Sequence, residues 1–146
     1  MYRLEIAHTT ETAHRFFKAN NSPKCRSIHG HQWRIILTLK AKKLDSQGMV
    51  IEFGQLKAAW RTWLDAQLDH ALMLHQADPM VEAVRSVDPK ARLFLTPGDP
   101  TTENIAQLLC KQAQLVLQTL NCDSIVQVER VRVEETRINC AEYLLS

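Results

Sequence analysis

The chain has 146 residues, of which 45% are hydrophobic and 23% are charged, and its formal net charge is +2. This length and composition are typical of a globular protein that buries a core without needing a disulfide or a metal to fold, and the small charge argues against nucleic acid or an acidic membrane surface as a partner. The N-terminal residues lack the layout of a signal peptide and no apolar run approaches the roughly 20 residues that span a bilayer, so we expect a cytoplasmic protein without a membrane segment.

The first half of the chain predicts two strands and a helix. Residues 2–17 alternate as a strand does, with one face formed by Leu4, Ile6, His8, Thr10, Thr12, His14 and Phe16. Residues 29–42 predict a second strand, and Asp-Ser-Gln-Gly at 45–48 predicts a turn. Residues 53–68 predict an amphipathic helix, because helical spacing relates Phe53, Leu56, Trp60, Trp63 and Leu64.

The second half predicts two helices and three strands. Residues 78–87 predict a short helix with Pro79 in its first turn, and 92–96 a short strand. Thr101 is a candidate N-cap for a helix that runs to about Leu120. Residues 124–135 and 139–145 predict a closing antiparallel pair. The order indicates an α+β fold with an antiparallel sheet and helices on one face, and we expect self-association to cover the other face.

Three histidines form a candidate metal site. His29 and His31 lie at positions i and i+2 of the second predicted strand, so both point to the face that continues with apolar residues. His14 becomes a third ligand if the first two strands pair. Three imidazoles would leave a fourth position of zinc open, as catalytic zinc sites do. The alternative is a set of hydrogen-bonded core histidines, and His8 lies too far along the strand to join them.

Two further groups have open interpretations. The four cysteines show no Cys-x-x-Cys pair and are expected to be thiols. Cys25 is either a fourth metal ligand, which would close a structural zinc site, or a thiolate that stands off the metal as a base or nucleophile. Asp69 and His70 form either an ordinary surface turn or the polarised histidine that a reactive Cys25 would need.

The pattern of the last strands sets one glutamate apart. Glu134 is expected on the solvated face with the arginines, whereas Glu135 falls on the apolar face with Val131 and Val133. A buried carboxylate needs a partner. It would be satisfied either by a salt bridge to an arginine or by two N–H groups of a planar ligand such as a 2-amino-pyrimidinone ring.

Taken together, these segments resemble the family of 6-pyruvoyl-tetrahydropterin and 6-carboxytetrahydropterin synthases. Each motif is weak alone, but their order and their spread over nearly the whole chain make the combination specific. The matching segments are AHRF (13–16), CRSIHGH (25–31), GMVIEFGQLK (48–57), LDH (68–70), PTTENIA (100–106) and EETRINCAEY (134–143).

The resemblance implies one domain over residues 1–146 with a T-fold, whose sheets assemble into a barrel in a homo-oligomer, commonly a hexamer, with active sites between subunits. It implies that Zn²⁺ is held by His14, His29 and His31. Cys25 would be the general acid and base, tuned by His70 and Asp69. Glu135 would anchor the pterin ring, near the segment that holds Thr101, Thr102 and Glu103.

The reaction implied by the resemblance converts dihydroneopterin triphosphate without a redox cofactor. The Cys-x-x-x-His-Gly-His spacing and the short chain resemble the carboxytetrahydropterin branch, which releases acetaldehyde and triphosphate and supplies 7-deazaguanine and queuosine synthesis. The alternatives are the pyruvoyl branch, a related pterin side-chain lyase, and a structural zinc module without turnover.

The sequence departs from the family pattern at three places, which bear on the shape of the substrate pocket. Glu52 stands where many members have Asp, and residues 71–74 read Ala-Leu-Met-Leu after the LDH motif. The stretch 75–97 is also longer than in the smallest members.

Overall fold

The computed structural model describes residues 1–19 and 21–146. Six strands and four helices follow one another along the chain as β1 (Tyr2–His14), α1 (Pro23–Arg26), β2 (His29–Ala41), α2 (Phe53–Gln67), β3 (Leu72–His75), α3 (Met80–Val87), β4 (Leu93–Thr96), α4 (Thr102–Thr119), β5 (Val126–Glu134) and β6 (Cys140–Leu144). No helix in these two ranges is both long enough and apolar enough to cross a membrane.

The strands form one sheet in the order β4-β3-β1-β2-β5-β6. The two longest strands, β1 and β2, pair antiparallel along their whole length, from Tyr2 opposite Ala41 to His14 opposite His29. Strands β5 and β6 continue the antiparallel pattern on one side. On the other side β3 and β4 add parallel pairs, so the sheet is antiparallel in its four longer members and mixed at that edge.

The hydrophobic core lies between one face of this sheet and the helices α2 and α4. The odd-numbered residues of β2 from Trp33 to Leu39 are buried there, as the alternation of the sequence predicts. Helix α2 contributes Leu56, Trp60 and Leu64 at helical spacing. The longer helix α4 packs against β5 and β6 with a stripe formed by Ile105, Ala106, Leu109, Cys110, Ala113, Val116 and Leu117.

The opposite face of the sheet is polar and carries ion pairs between strands. Arg130 on β5 contacts Glu5 on β1 at 3.1 Å and Glu142 on β6 at 2.8 Å. Glu134 bonds to Arg34 and to Arg132, so the prediction that Glu134 is the solvated carboxylate of its strand is confirmed. The helices α2 and α4 therefore cover the other face of the sheet, as expected.

The sequence predicted most elements within one to three residues of their ends, and three features differ. The first strand was expected to reach residue 17 but ends at His14, because the backbone N–H groups of Phe17 and Lys18 donate to the side chain of Asp99 instead of continuing the sheet. Phe16 is therefore beyond the strand. The short helix α1 was not predicted, and neither was β3, whose four residues are too few for a period to be visible.

A buried ion pair fixes the segment after β1. The Arg15 guanidinium donates two hydrogen bonds, of 2.7 and 2.9 Å, to the carboxylate of Asp78 just before α3. The Asp78 side chain is fully buried and also accepts from the N–H of Met80. The pair joins the end of β1, where His14 lies, to the start of α3.

We expect Asp78→Ala to lower the free energy of unfolding by about 3 kcal/mol, because it leaves the guanidinium of Arg15 without its partner in a largely buried place. Denaturant unfolding of the wild type and of Asp78→Ala measures this loss of stability. The matched control is Arg34→Ala, which removes an exposed ion pair and should change stability by less than about 1 kcal/mol. Equal losses in the two variants would mean that Asp78 contributes no more than a surface charge.

Candidate metal centre

The pairing of β1 with β2 brings three histidines to one end of the sheet. His14, the last residue of β1, is opposite His29, the first residue of β2, and Thr12 is opposite His31. All three side chains point to the face that carries the core. The prediction that His14 joins the pair on β2 is therefore confirmed in its geometry.

The imidazole nitrogens converge. One ring nitrogen from each histidine lies within 4.8 Å of the others, and the Nε2 atoms of His14 and His29 are 3.0 Å apart. Two nitrogens bound to one tetrahedral zinc, each at about 2.0–2.1 Å, would be about 3.3 Å apart. The cluster thus has the donor type and nearly the spacing that a zinc ion requires.

Backbone carbonyls orient two of the three rings. The Nδ1–H of His14 donates to the carbonyl of Pro100 at 2.8 Å, and the Nδ1–H of His29 donates to the carbonyl of Ser27 at 2.7 Å. Since a carbonyl only accepts, each Nδ1 carries the proton and each Nε2 lone pair faces the centre of the cluster. A histidine that binds a metal usually donates its other ring N–H to a carbonyl, a carboxylate or a water, and this bond fixes the orientation of the ring.

Burial keeps the imidazole of His14 neutral, which is the form that binds a metal. Its side chain is fully buried, and loss of hydration lowers its pKa from 6.5 to about 4. It is therefore neutral at pH 7, as a ligand must be. The buried Nε2 of His31 has no hydrogen-bond partner within the described part of the chain. An unpaired buried nitrogen is costly, and a metal ion would satisfy it.

Aromatic rings form the walls of the cluster. His14 contacts Phe16 and Trp33 edge to face, with ring centroids 4.8 and 5.0 Å apart. The indole N–H of Trp33 donates to the carbonyl of Thr12, which fixes the indole beside the ligands. The rings exclude water from one side and leave His29 and His31 half-buried on the other.

Glu135 lies beside this cluster. It follows β5 and its Oε1 atom is 3.4 Å from the Nε2 atoms of both His14 and His31, while 17% of its side chain remains exposed. Its placement on the core-facing side is as predicted. The alternative of a salt bridge to an arginine is wrong for Glu135, since the described ion pairs give arginine partners to its neighbour Glu134.

Cys25 lies on α1, close to the end of β1 but outside the cluster of converging ligand atoms. Ser22 caps this single turn, Pro23 begins it, and the carbonyl of Cys25 accepts from the N–H of Phe16 at 2.8 Å. The thiol is half-buried. By contrast, burial raises the pKa of the Cys110 thiol in α4 to about 11, which fits a core residue. This geometry favours a Cys25 that stands off the metal over a fourth ligand.

Asp69 and His70 form the predicted pair, but on the other face of the sheet. The Nδ1 of His70 is 2.9 Å from the carboxylate of Asp69, which also accepts from the N–H of Glu11. That second bond is the main reason that the pKa of Asp69 lies below its usual value. The His70 side chain is 74% exposed and its φ is 59°.

The pair borders a groove of about 610 Å³. Its wall includes Glu11 and Ala13 of β1 and Gly30 and Gln32 of β2, whose side chains alternate with the histidine ligands and so point to the opposite face of the strands. Thr12 and His31, which lie between these residues on the two strands, also border the groove. His70 and the histidine cluster thus occupy the two sides of the same sheet. The sequence predicted the pair but not this separation.

The segment from Thr101 to Glu103 begins α4. Thr101 is the predicted N-cap and accepts from the N–H of Asn104. Thr101 and Thr102 are half-buried and Glu103 is exposed. The segment directly follows Pro100, whose carbonyl accepts from His14, so it lies next to the cluster.

Sequence reasoning missed the support around His14 and His29. Pro100 and Ser27 accept these hydrogen bonds through backbone carbonyls. Every residue type has a backbone carbonyl, so the sequence gives no sign of this role. Asp99 had a signal, because an Asp-Pro pair in a Pro-Gly-Asp-Pro stretch is typical of a turn whose aspartate bonds to nearby N–H groups. Asp99 accepts from Phe17 and Lys18, and so holds the loop against the chain that follows His14.

Comparisons with known proteins identify the family and agree with the fold. The model of the family described as 6-pyruvoyl tetrahydropterin synthase matches residues 3–145. A Rickettsia typhi protein named 6-carboxy-5,6,7,8-tetrahydropterin synthase is 33% identical over 130 residues, which cover 89% of this chain and 90% of the relative. The Aquifex aeolicus protein of the same name is 27% identical and covers 97% of this chain and 93% of its own.

Solved structures share the fold over nearly the whole chain. The 6-pyruvoyl tetrahydropterin synthase of Caenorhabditis elegans superimposes with a TM-score of 0.70 at 23% identity, covering 99% of this chain and 96% of that one. A catalytic-residue mutant of the 6-pyruvoyltetrahydropterin synthase of Plasmodium vivax gives a TM-score of 0.70 at 18% identity and covers 98% of both chains. The α+β T-fold expected from the sequence is confirmed.

Proposed function

Because the chain belongs to the 6-pyruvoyl tetrahydropterin synthase family, we propose that it is a zinc-dependent lyase acting on a pterin. Its substrates are 7,8-dihydroneopterin triphosphate and water, and its products are 6-carboxy-5,6,7,8-tetrahydropterin, acetaldehyde and triphosphate. Residues 1–146 act as one catalytic domain in the cytoplasm and supply 7-deazaguanine and queuosine synthesis. The 6-carboxytetrahydropterin synthase name of the relatives supports this branch.

The convergence of His14, His29 and His31 carries the proposal. Carbonyl bonds orient two of the rings, burial keeps one neutral, and the third has a buried nitrogen without a hydrogen-bond partner in the described ranges. Three imidazoles suit zinc among the biological cations. When bound there, zinc would supply Lewis-acid stabilisation of charge that develops on the oxygens of the substrate side chain.

The side chains of this protein then move the protons. Cys25 stands next to the cluster without belonging to it, so its sulfur is free to take a proton from a side-chain carbon and return it elsewhere. Phe16 holds the backbone of Cys25 through one hydrogen bond and contacts His14 with its ring. The backbone that carries the thiol is therefore linked to the ligand His14 through Phe16.

Asp69 and His70 act on a neighbouring copy of the chain. The sheet separates them from the histidine cluster of their own chain, and His70 is exposed as a group that meets a partner should be. We infer a homo-oligomer, a hexamer by analogy with the family, in which the sheets complete a barrel and each active site lies between two subunits. Asp69 orients His70, and His70 completes proton transfer with Cys25 of the next subunit.

Glu135 anchors the pterin ring. A carboxylate accepts two N–H groups of a 2-amino-pyrimidinone ring in a bidentate manner, and Glu135 is a partly exposed carboxylate beside the cluster without an arginine partner in the described chain. Thr101, Thr102 and Glu103 line the substrate on the side of Pro100. Binding the ring at one end and the side-chain hydroxyls at the other orients the bond that breaks.

We expect Glu135→Gln to weaken pterin binding by about 10- to 100-fold, because an amide replaces the charged acceptor of two hydrogen bonds. Fluorescence titration of the zinc-loaded protein with a pterin measures the affinity. Glu134→Gln is the matched control, since it changes the adjacent residue on the opposite face of β5. Unchanged affinity in Glu135→Gln would remove this residue from the pterin site.

The decisive experiment identifies the products. Zinc-loaded protein is given dihydroneopterin triphosphate and the mixture is analysed by mass spectrometry. Carboxytetrahydropterin with acetaldehyde supports the proposal, whereas a pyruvoyl product would assign the chain to the other branch. Zinc bound without any product, together with a Cys25 thiol protected from alkylation, would indicate a structural zinc module instead.

A further inference from the structure

The side chain of Arg92 holds the loop that carries Asp69 and His70. Arg92 directly precedes β4, and its own carbonyl accepts from the N–H of Leu72. Its guanidinium Nη2 donates to the carbonyls of Asp65 at 2.7 Å, Ala66 at 3.1 Å and Asp69 at 2.8 Å, and its Nε donates to the carbonyl of Asp69 at 3.1 Å. One side chain thus binds three carbonyls, two in the last turn of α2 and one in the loop that follows it.

Two of these carbonyls, those of Asp65 and Ala66, are among the ones that a helix leaves without partners. Helix α2 ends at Gln67, and the last carbonyls of a helix have no N–H ahead of them in the same helix. The helix dipole also places partial negative charge at this end, which a cation stabilises. A planar guanidinium with several donors meets both needs, whereas a lysine ammonium offers only a point charge.

Other hydrogen bonds hold the start of the loop beyond the helix, where the N–H groups of Leu68 and Asp69 donate to the carbonyl of Leu64. His70 is exposed and has a left-handed backbone, so packing does not determine where its ring points. On the side of β1, the N–H of His70 donates to the carbonyl of Glu11 at 2.7 Å, and Asp69 accepts from the N–H of Glu11. Arg92 holds the opposite side through the carbonyl of Asp69.

We propose that Arg92 is a positioning residue for the Asp69–His70 pair, clamping the end of α2 so that the imidazole is presented at a fixed place in the groove. The inference rests on the proposed function in so far as His70 takes part in the reaction. Arg92 acts through the backbone of Asp69, and Glu11 supplies the second support of the same turn.

A double-mutant cycle tests the proposal by enzyme kinetics. We expect Arg92→Ala to lower kcat by about 10- to 100-fold with KM within twofold and with full zinc content, which is the range for residues that orient a catalytic group. In a His70→Ala background the same substitution should change kcat by less than twofold, because the group that it positions is gone. A similar fold loss in both backgrounds would overturn the proposal and make Arg92 a general stabilising residue.

Two further variants and a chemical rescue with guanidinium ion allow the proposal to be tested if Arg92→Ala folds poorly. Arg92→Lys should fall between the wild type and Arg92→Ala, and guanidinium ion added at millimolar concentration should restore part of the kcat of Arg92→Ala. Arg3→Ala, which removes an exposed arginine paired with Glu129 elsewhere on the sheet, should keep full kcat. An Arg92→Lys variant with wild-type kcat and no rescue by guanidinium would contradict the clamp.

Amide hydrogen exchange tests the clamp without reference to turnover. The His70 N–H should exchange at least tenfold faster in Arg92→Ala than in the wild type, whereas the buried Leu37 N–H in β2 should not change. If the wild type fails to convert dihydroneopterin triphosphate, the proposed function is wrong, and this measurement still decides the structural claim. Unchanged exchange at His70 would overturn it.

Discussion

Cys25→Ala is expected to lower turnover by about 10²–10⁴-fold while one zinc remains bound per chain. The size follows from the loss of a positioned general acid and base, and the retained metal follows from the position of Cys25 outside the cluster of ligand atoms. Product formation by mass spectrometry and metal content by elemental analysis of the same preparation measure the two quantities together. The expected result is an inactive protein with an intact site.

A variant of a second cysteine is the control for this experiment. Cys140→Ala removes an exposed thiol on β6 and should leave kcat within twofold. Loss of zinc from Cys25→Ala would make the cysteine a ligand and favour a closed structural site. Wild-type turnover in Cys25→Ala would exclude the thiol from the chemistry.

Because His70 is proposed to serve a neighbouring subunit, mixing Cys25→Ala with His70→Ala subunits should restore activity that neither variant has alone.

His14→Ala is expected to remove zinc. Two histidines remain, and the lost one is the most buried of the three, with its Nε2 only 3.0 Å from that of His29. We expect zinc affinity to fall by more than about 100-fold, beyond the range for outer-shell partners. Competition with a chromophoric chelator measures the affinity, and dialysis followed by elemental analysis measures the stoichiometry.

A stability readout accompanies this test. Zinc that binds only the folded protein raises its unfolding temperature with concentration, and this rise should be absent in His14→Ala. His75→Ala is the matched control, because His75 lies on β3 against Phe17 and outside the cluster. Its zinc affinity should equal that of the wild type. Stoichiometric zinc retained by His14→Ala would remove this residue from the ligand set.

The histidine cluster was predictable in part from strand geometry, on the condition that the first two strands pair. Side chains at i and i+2 of a strand share a face, and the pairing of two adjacent long strands determines which residue lies opposite. Given those rules, His14 comes next to His29 and His31. The face assignments of Glu134 and Glu135 followed in the same way from alternation.

The remaining parts of the site depend on long-range contacts between short segments. Strand β3 has four residues and pairs in parallel with β1, so nothing local distinguishes Leu72–His75 from a loop. Its place in the sheet nevertheless puts His70 on the face opposite the cluster. The carbonyl of Pro100 and the guanidinium of Arg92 act across 86 and 23 residues of chain, respectively. Such contacts become visible only when the tertiary structure is known.

The left-handed backbone of His70 has a consequence for how this turn responds to substitution. A residue with a Cβ atom at a φ of 59° is strained by about 1 kcal/mol, which glycine avoids. His70→Gly is therefore expected to keep or raise the unfolding temperature, measured by calorimetry, while turnover is lost. A drop in the unfolding temperature would contradict this. The turn holds a residue that its conformation disfavours, as expected if His70 stands there for the proposed proton transfer rather than for stability.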